Sequence, residues 1–172
     1  ENSGGKSRIT KFAYDAFGNR SSIIDANGFE THFEYDSLNR LTKHILPDGS
    51  FYKYTYDNMR NIIKKQNPDF SIIQYYYDDA YQLIKKVLPN DTFNYSYDDN
   101  GNMIFASNNT GSVYRSYDNM DRLIEEIQAI NGETPRTISY DYNSATGNLN
   151  QINLPDGSSI TYAYDALDQI KA

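Results

Sequence analysis

The sequence lacks cysteine and tryptophan, and it has only two histidines and few basic residues. Without cysteine the chain has no disulfides, no thiolate metal sites and no cysteine nucleophile. Its 16 Lys and Arg against 23 Asp and Glu leave a formal net charge of −7. That charge argues against a nucleic-acid partner, because binding to phosphates needs a basic face. No apolar run approaches the roughly 18 residues of a membrane span, so we expect no membrane insertion.

Tyrosine is the residue type that the sequence has in abundance. There are 17 Tyr and 8 Phe in a chain that is only 38% hydrophobic. A tyrosine buries a large ring but keeps a hydroxyl that needs water or a partner. A chain whose apolar side chains are mainly tyrosine therefore favours thin layers that are partly exposed to water over a thick apolar core, and this points to β structure.

A Tyr-Asp dipeptide recurs along the chain at intervals of 20 to 25 residues, and such an internal repeat decides the architecture. Its eight copies are Tyr14-Asp15, Tyr35-Asp36, Tyr56-Asp57, Tyr77-Asp78, Tyr97-Asp98, Tyr117-Asp118, Tyr142-Asn143 and Tyr164-Asp165. In the seventh copy asparagine replaces aspartate. We expect an N-terminal flank at residues 1–7 and a repeat region at residues 8–172. The absence of an initiator methionine suggests a piece of a longer protein.

Two further positions of the repeat are apolar. We number positions from the repeat tyrosine, which is position 0. Position −2 holds Phe12, Phe33, Tyr54, Tyr75, Tyr95, Arg115, Tyr140 and Tyr162, and position +6 holds Leu41, Ile62, Leu83, Met103, Leu123 and Ile170, with Leu149 displaced by an insertion and Arg20 as the exception. A spacing of two places the rings of positions −2 and 0 on one face of a β-strand.

Two turns interrupt each repeat. The turn after the tyrosine begins with Asp, which accepts backbone N–H groups, and it contains Gly or Asn, which tolerate a left-handed conformation. We therefore interpret the repeat aspartates as structural turn residues rather than catalytic ones. The second turn has hairpin signals such as Asn27-Gly28 and Pro47-Asp48-Gly49. The sequence predicts an all-β fold of tandem antiparallel β-hairpins, about 16 strands forming a long curved or spiralling sheet.

The spacing also predicts a register. If position 0 pairs with position +6, position −2 pairs with position +8. The pairs are Phe33 with Lys43, Tyr54 with Lys64, Tyr75 with Lys85, Tyr95 with Phe105, and Arg115 with Glu125. The last would be an opposite-charge pair, which stabilises a sheet.

The same register places His32 opposite His44. Together with Glu34, two facing imidazoles would form a site for Zn²⁺ or Ni²⁺. The alternative, which the pattern favours, is two polar residues on the wetter face of the sheet, with no metal and no cofactor. The acidic turn from Asp98 to Asn102 resembles the start of a calcium loop, but Asn109 stands where the closing Glu is needed, so a plain turn is the simpler interpretation.

No motif for catalysis is present. The sequence has no nucleophile elbow, no glycine-rich phosphate loop and no zinc-hydrolase motif, so we expect no catalytic residues and no enzyme. Aromatic side chains stack on sugar rings in other proteins, so a carbohydrate- or receptor-binding module is the alternative to a purely structural role.

These features resemble the YD repeats of the RHS family. The resemblance is carried by Tyr54-Thr-Tyr56-Asp57, by the stretch from Phe33 to Thr42, and by Leu46-Pro47-Asp48-Gly49-Ser50. The family includes the B and C components of bacterial Tc toxins, polymorphic toxins and teneurins. The resemblance implies a segment of a hollow β-shell that encapsulates or displays a C-terminal toxin or effector domain, and a secreted or cell-surface location.

For this chain the resemblance implies only the role of a structural scaffold. In bacterial members an aspartyl protease segment usually follows the repeats, and nothing here matches its signature. The partners that the resemblance implies are the remainder of the parent shell and a C-terminal effector. The sequence ends as another strand begins, and an unpaired strand edge predicts edge-to-edge self-association.

Overall fold

A computed structural model describes residues 9–171, which form β-strands joined by short turns. The predicted N-terminal flank at residues 1–7 lies outside the described residues. The first seven strands are β1 (Lys11–Tyr14), β2 (Arg20–Ile24), β3 (Glu30–Tyr35), β4 (Leu41–Ile45), β5 (Phe51–Tyr56), β6 (Ile62–Gln66) and β7 (Ile72–Tyr77). The other eight are β8 (Leu83–Val87), β9 (Thr92–Tyr97), β10 (Met103–Ser107), β11 (Gly111–Tyr117), β12 (Leu123–Ile130), β13 (Arg136–Tyr142), β14 (Leu149–Asn153) and β15 (Ser159–Thr161).

Strands β1 to β7 are hydrogen-bonded in the order of the chain, and so are strands β8 to β15. The sixteenth strand that the repeat predicts is reduced to a single antiparallel bridge between Tyr164 and Ile170. The prediction of an all-β fold of tandem antiparallel hairpins is confirmed, and the curvature of the sheet stays a prediction. Within residues 9–171, no helix is long and apolar enough to cross a membrane.

The chain divides into two compact units. The first contains the residues up to Tyr76 together with Val87–Pro89, and the second contains Tyr77–Lys86 and the residues from Asn90 onward. Both units are built from the same hairpin.

Each strand that ends in a repeat tyrosine alternates between its two faces. In β5, Tyr54 and Tyr56 are half-buried, whereas Lys53 and Thr55 are exposed. Side chains alternate along a strand with a period of two, so the two tyrosines share one face. We call this face the tyrosine face and the other the opposite face. The predicted placement of positions −2 and 0 on one side is confirmed for this strand.

The predicted register is correct at one position and wrong at the next. Tyr35 pairs with Leu41, as expected for positions 0 and +6, but Phe33 pairs with His44 rather than with Lys43. The reason is a β-bulge: Glu34 pairs with Lys43, so Thr42 is an extra residue without a partner across the ladder. The bulge moves every later pair by one residue.

The same correction applies to the equivalent pairs of other repeats. Tyr54 pairs with Lys65 instead of Lys64. Tyr95 pairs with Ala106 instead of Phe105.

The charged pair predicted at Arg115 is also displaced by the bulge. Arg115 lies opposite Glu126 rather than Glu125, and its Nε is 2.8 Å from Glu126 Oε2. The opposite-charge pair therefore exists, but its acidic member is the next residue.

The sheet has no apolar core in the part of the chain that the structure describes. No hydrophobic side chain there is buried, and the one buried polar residue is Ser22, which is 7% exposed. A single layer leaves both faces accessible to water, so this fold depends on cross-strand contacts rather than on a packed interior. This agrees with the expectation of a thin, half-wet layer from the tyrosine-rich composition.

Candidate functional site

The hydroxyl of the repeat tyrosine links each repeat to the one before it. In six of the repeats it donates a hydrogen bond of 2.7–3.1 Å to a backbone carbonyl of the preceding repeat, at position +6 in five cases and at position +7 after the insertion in the seventh copy. The donor–acceptor pairs are Tyr35–Arg20, Tyr56–Leu41, Tyr97–Leu83, Tyr117–Met103, Tyr142–Leu123 and Tyr164–Leu149. We call this series the tyrosine ladder. It binds successive hairpins together through one recurring side chain.

Sequence reasoning missed the ladder, although a signal for it is present. Position 0 is tyrosine in all eight copies, whereas position −2 also holds Phe12, Phe33 and Arg115. A site that needed only a ring would accept phenylalanine. The constant tyrosine at position 0 therefore indicates that the hydroxyl itself is required there.

Burial extends the pH range over which several of these hydroxyls stay protonated. Partial removal from water raises the pKa of Tyr56, and a smaller opposing influence comes from the positive charge of Arg40. Burial likewise raises the pKa of Tyr97 and of Tyr142. A neutral phenol is the form that donates a hydrogen bond, so the raised pKa of these three tyrosines favours the donor form.

The residue after the tyrosine organises the first turn. Asp15 Oδ1 accepts the backbone N–H groups of Phe17 at 2.9 Å and of Asn19 at 2.8 Å. The same two bonds, to the residues two and four positions later, are made by Asp36, Asp57, Asp78, Asp98, Asp118 and Asp165. Asn143 accepts from Ala145 and Thr146 through its amide oxygen, so the substitution in the seventh repeat keeps an acceptor.

These hydrogen bonds favour the charged carboxylate. The side-chain amide of Asn19 holds the pKa of Asp15 below its ordinary value, and the side chain of Asn61 does the same for Asp57. At Asp36 the largest cause is the backbone N–H of Arg40. These carboxylates therefore act as hydrogen-bond acceptors within their own turns.

Side chains at position +5 connect neighbouring turns. Arg40 Nη1 donates to the carbonyl oxygen of Asp57 in the next repeat at 2.7 Å, while its Nε binds its own Asp36 at 2.7 Å. The guanidinium carbon of Arg40 also lies 4.8 Å from the ring centre of Tyr56. One arginine thus contacts a carboxylate, a carbonyl and an aromatic ring, and it joins two repeats at the edge where the turns lie.

The same edge has equivalent contacts in the second unit. Arg122 donates to the carbonyl oxygen of Gly147 at 3.2 Å and lies 4.4 Å from the ring centre of Tyr142. The shorter Asn102 reaches Asp121 of the next repeat at 2.8 Å. Sequence reasoning did not identify these contacts, because they join residues about 20 positions apart in loops.

The two histidines do not face each other. His44 pairs with Phe33 and lies between aromatic rings, with ring centres 4.9 Å from Phe33 and 5.7 Å from Tyr52. His32 pairs with Ile45, is exposed, and lies 3.6 Å from Glu30. The facing-imidazole hypothesis with Glu34 is wrong, because the bulge moves the two histidines out of register.

The acidic turn from Asp98 to Asn102 forms the ordinary turn of the repeat. Asp98 accepts the N–H groups of Asn100 and Asn102, and Asp121 accepts the side-chain amides of both asparagines at 2.8 Å. Among the residues that the structure describes, no three His, Cys, Asp or Glu side chains come together as a metal-binding group.

Comparison with known proteins identifies the repeat. A family model described as RHS Repeat matches residues 14–50, and one described as Teneurin YD-shell matches residues 48–172. The chain belongs to the teneurin YD-shell family. No curated protein matches the sequence.

Solved structures share the YD-shell fold at low identity. The Photorhabdus luminescens Tc holotoxin pore, in a form with a TccC3 mutation, matches 91% of this chain with a TM-score of 0.73 and 19% identity. The TcdB2–TccC3 crystal structure without its hypervariable C-terminal region matches 95% with a TM-score of 0.77 and 18% identity. A TcdB2–TccC3 crystal structure matches 92% with a TM-score of 0.73 and 19% identity. This chain covers 10% of the length of each.

Proposed function

We propose that this chain is a non-catalytic segment of the wall of an RHS-type β-shell that encapsulates or displays a C-terminal effector domain. A structural shell role follows from membership of the YD-shell family. The observation that supports a wall is the tyrosine ladder, in which six repeats bind the preceding one through the same type of bond. A repeat that binds its neighbours in this way extends a sheet without needing a second layer.

The placement of the repeat residues supports a role for them in structure rather than in catalysis. Each repeat aspartate uses its carboxylate in its own turn, and the ladder tyrosines direct their hydroxyls to backbone carbonyls. We propose that the structural repeat residues, from Tyr14 and Asp15 to Tyr164 and Asp165, serve to hold the hairpins together. The repeat region at residues 8–172 would then act as one structural element.

The partners that we propose are the remainder of the parent shell and a C-terminal effector. The Tc structures that share the fold are complexes whose chains are about ten times longer than this one, which supports a larger assembly. We expect a secreted or cell-surface location, as for toxin shells and teneurins.

Limited proteolysis of the full-length parent protein tests encapsulation. We expect the part that follows the repeats to resist a broad-specificity protease at concentrations that degrade it when it is expressed alone. Unfolding the shell with urea before adding the protease should remove the protection. Equal cleavage of the free and shell-attached segments in native buffer would contradict encapsulation.

A carbohydrate ligand is the second candidate, and one groove favours it. In the second unit a cavity of about 350 Å³ is lined by Phe93, Ala106, Val113, Gln128 and Ile130, among others. The lining thus includes an aromatic ring and a side-chain amide, groups that ligand sites use for stacking and for orientation. Binding on a glycan array that is lost on Phe93→Ala would support this function, and no binding by the native chain would exclude it for the glycans on the array.

The unpaired edges of the sheet support self-association. Among the described residues β1 pairs with β2 alone, and an unpaired strand edge of this kind is a template for pairing with another chain. A purely monomeric mass by light scattering at high protein concentration would count against edge-to-edge pairing.

A further inference from the structure

Three lysines from successive strands lie together on the opposite face of the first unit. Lys43 in β4 pairs directly with Lys53 in β5, and Lys53 pairs with Gln66, which is two residues from Lys64 in β6. Like charges directly opposite each other destabilise an antiparallel pair. A cluster of this kind is unexpected in a chain with a net charge of −7.

Only one of the three lysines is neutralised by an acidic neighbour. Lys43 Nζ lies 3.7 Å from Glu34 Oε1 and 4.6 Å from the ring centre of Phe51. Within residues 9–171, neither Lys53 nor Lys64 forms an ion pair with a carboxylate. The residue that pairs with Lys64 on β7 is Gln74, which is neutral. Two ammonium charges are therefore left uncompensated side by side.

A small pocket is lined by residues that include both of these lysines. Its lining consists of Lys53, Thr55, Lys64 and Gln66, and its volume is about 100 Å³. This is about three times the 30 Å³ that one water molecule occupies in the liquid, so there is space for one tetrahedral anion. The lining supplies two ammonium groups, a hydroxyl and a side-chain amide, all of which donate hydrogen bonds.

We propose that this pocket binds a single divalent oxyanion group, a phosphate or a sulfate. Two uncompensated positive charges match the charge of one such group, and lysine ammonium is a common partner of phosphate. A bound anion would also relieve the repulsion between Lys43, Lys53 and Lys64. The inference does not depend on the proposed shell function, because it rests on the local geometry of strands β4 to β6.

Titration followed by two-dimensional amide NMR tests the site with inorganic phosphate, and separately with sulfate, against chloride at constant ionic strength. We expect saturable shifts of the backbone amides of Lys53, Thr55, Lys64 and Gln66 with both divalent anions and none with chloride. Lys53→Gln and Lys64→Gln should each weaken the affinity by about fivefold or more, and Lys53→Arg should retain it.

Lys65→Gln is the matched control. Lys65 is next to Lys64 in sequence but lies on the tyrosine face, with its Nζ 4.8 Å from the ring centre of Tyr52. This variant should keep the native affinity. Circular dichroism of each variant checks that the sheet is intact.

Two results would overturn the proposal. One is a shift that rises linearly with anion concentration, and the other is equal weakening by Lys64→Gln and Lys65→Gln. Glucose 6-phosphate, as a second probe, separates two sources of the anion. An affinity equal to that of inorganic phosphate identifies the free anion as the ligand, and a higher affinity identifies a phosphate carried on a larger molecule.

Discussion

At the scale of the residue, the hydroxyl of the repeat tyrosine makes a specific contribution to the fold. Tyr56 donates to the carbonyl of Leu41 at 2.7 Å, and Tyr142 donates to that of Leu123 at 2.9 Å. The rings add cross-strand contact area, but phenylalanine would supply that equally. Replacing a ladder tyrosine by phenylalanine therefore separates the effect of the hydroxyl from the effect of the ring.

Replacing Tyr56 by phenylalanine tests the hydroxyl directly. We expect Tyr56→Phe to lower the free energy of unfolding by about 1 kcal/mol, because a hydrogen bond is lost and the carbonyl of Leu41 loses its partner. Urea denaturation measures this change. Tyr114→Phe is the control, since Tyr114 is 49% exposed and its ring lies 5.0 Å from that of Phe105 without a hydroxyl in the ladder. Equal effects of the two substitutions would contradict the role of the hydroxyl.

A second residue-scale prediction concerns position +4 of the first turn. The backbone there is left-handed, with φ of 84° at Gly18 and 58° at Asn39, but also 74° at Arg60. A side chain such as arginine is strained in this region, and glycine is not. We expect Arg60→Gly to raise the free energy of unfolding by about 1 kcal/mol.

Met59 provides the matched control for that substitution. It is the preceding residue of the same turn, and it does not have a positive φ. Met59→Gly should leave the free energy of unfolding unchanged or lower it, because glycine there only adds freedom to the unfolded chain. Thermal denaturation of the two variants compares them, and a lower Tm for Arg60→Gly than for the native protein would show that the turn carries no strain.

At the scale of the element, the hairpin was predictable except for its bulge. The strands, the two turns and the pairing of position 0 with position +6 follow from alternation and from turn-forming residues such as Asp36 and Gly49. The extra residue does not, because a period of two assumes an uninterrupted ladder. The consecutive apolar pair Ile62-Ile63 breaks the alternation in β6, and it is the signal that indicates a bulge.

Contacts between repeats were less predictable than the hairpin itself. The tyrosine ladder and the bond from Arg40 to the turn of Asp57 join residues 14 to 19 positions apart. Their geometry depends on how one hairpin lies beside the next, and the local pattern does not specify this. The hypothesis of a metal site at His32 and His44 failed for a different reason, the bulge within their own hairpin, since a shift of one residue reverses the face of a side chain.

The displaced charge pair gives a prediction for the β11–β12 hairpin. Arg115 Nε is 2.8 Å from Glu126 Oε2, and Gln128 donates to the other carboxylate oxygen at 2.7 Å. A double-mutant cycle with Arg115→Gln and Glu126→Gln should give a coupling of about 0.5–1 kcal/mol. Replacing Glu125 in the same cycle should give a coupling near zero. A larger coupling of Arg115 with Glu125 than with Glu126 would contradict the bulge and support the register without it.

At the scale of the whole molecule, stability depends on many turn carboxylates acting in parallel. Hydrogen bonds lower the pKa of Asp15, Asp36 and Asp57 in the folded state, with Asn19, Arg40 and Asn61 as the first partners. A depressed pKa stabilises the folded state at any pH above the unfolded pKa of about 4, and this contribution is lost as the pH falls through the folded pKa.

The protein should therefore lose stability in acid. We expect the urea midpoint to be constant from neutral pH down to about pH 5 and to fall below about pH 4. Asp57→Asn should be less stable than the native protein at neutral pH but should lose less on acidification, because an amide keeps the acceptor without titrating. A midpoint that rises between pH 5 and pH 3 would contradict this explanation.

The central claim is that these repeats form antiparallel hairpins that share a bulged register. Cross-strand nuclear Overhauser effects measure that register directly in solution. We predict contacts between Tyr54 and Lys65, between Phe33 and His44, and between Arg115 and Glu126. Contacts of Tyr54 with Lys64 and of Phe33 with Lys43 in their place, or no contacts between consecutive strands, would contradict the claim.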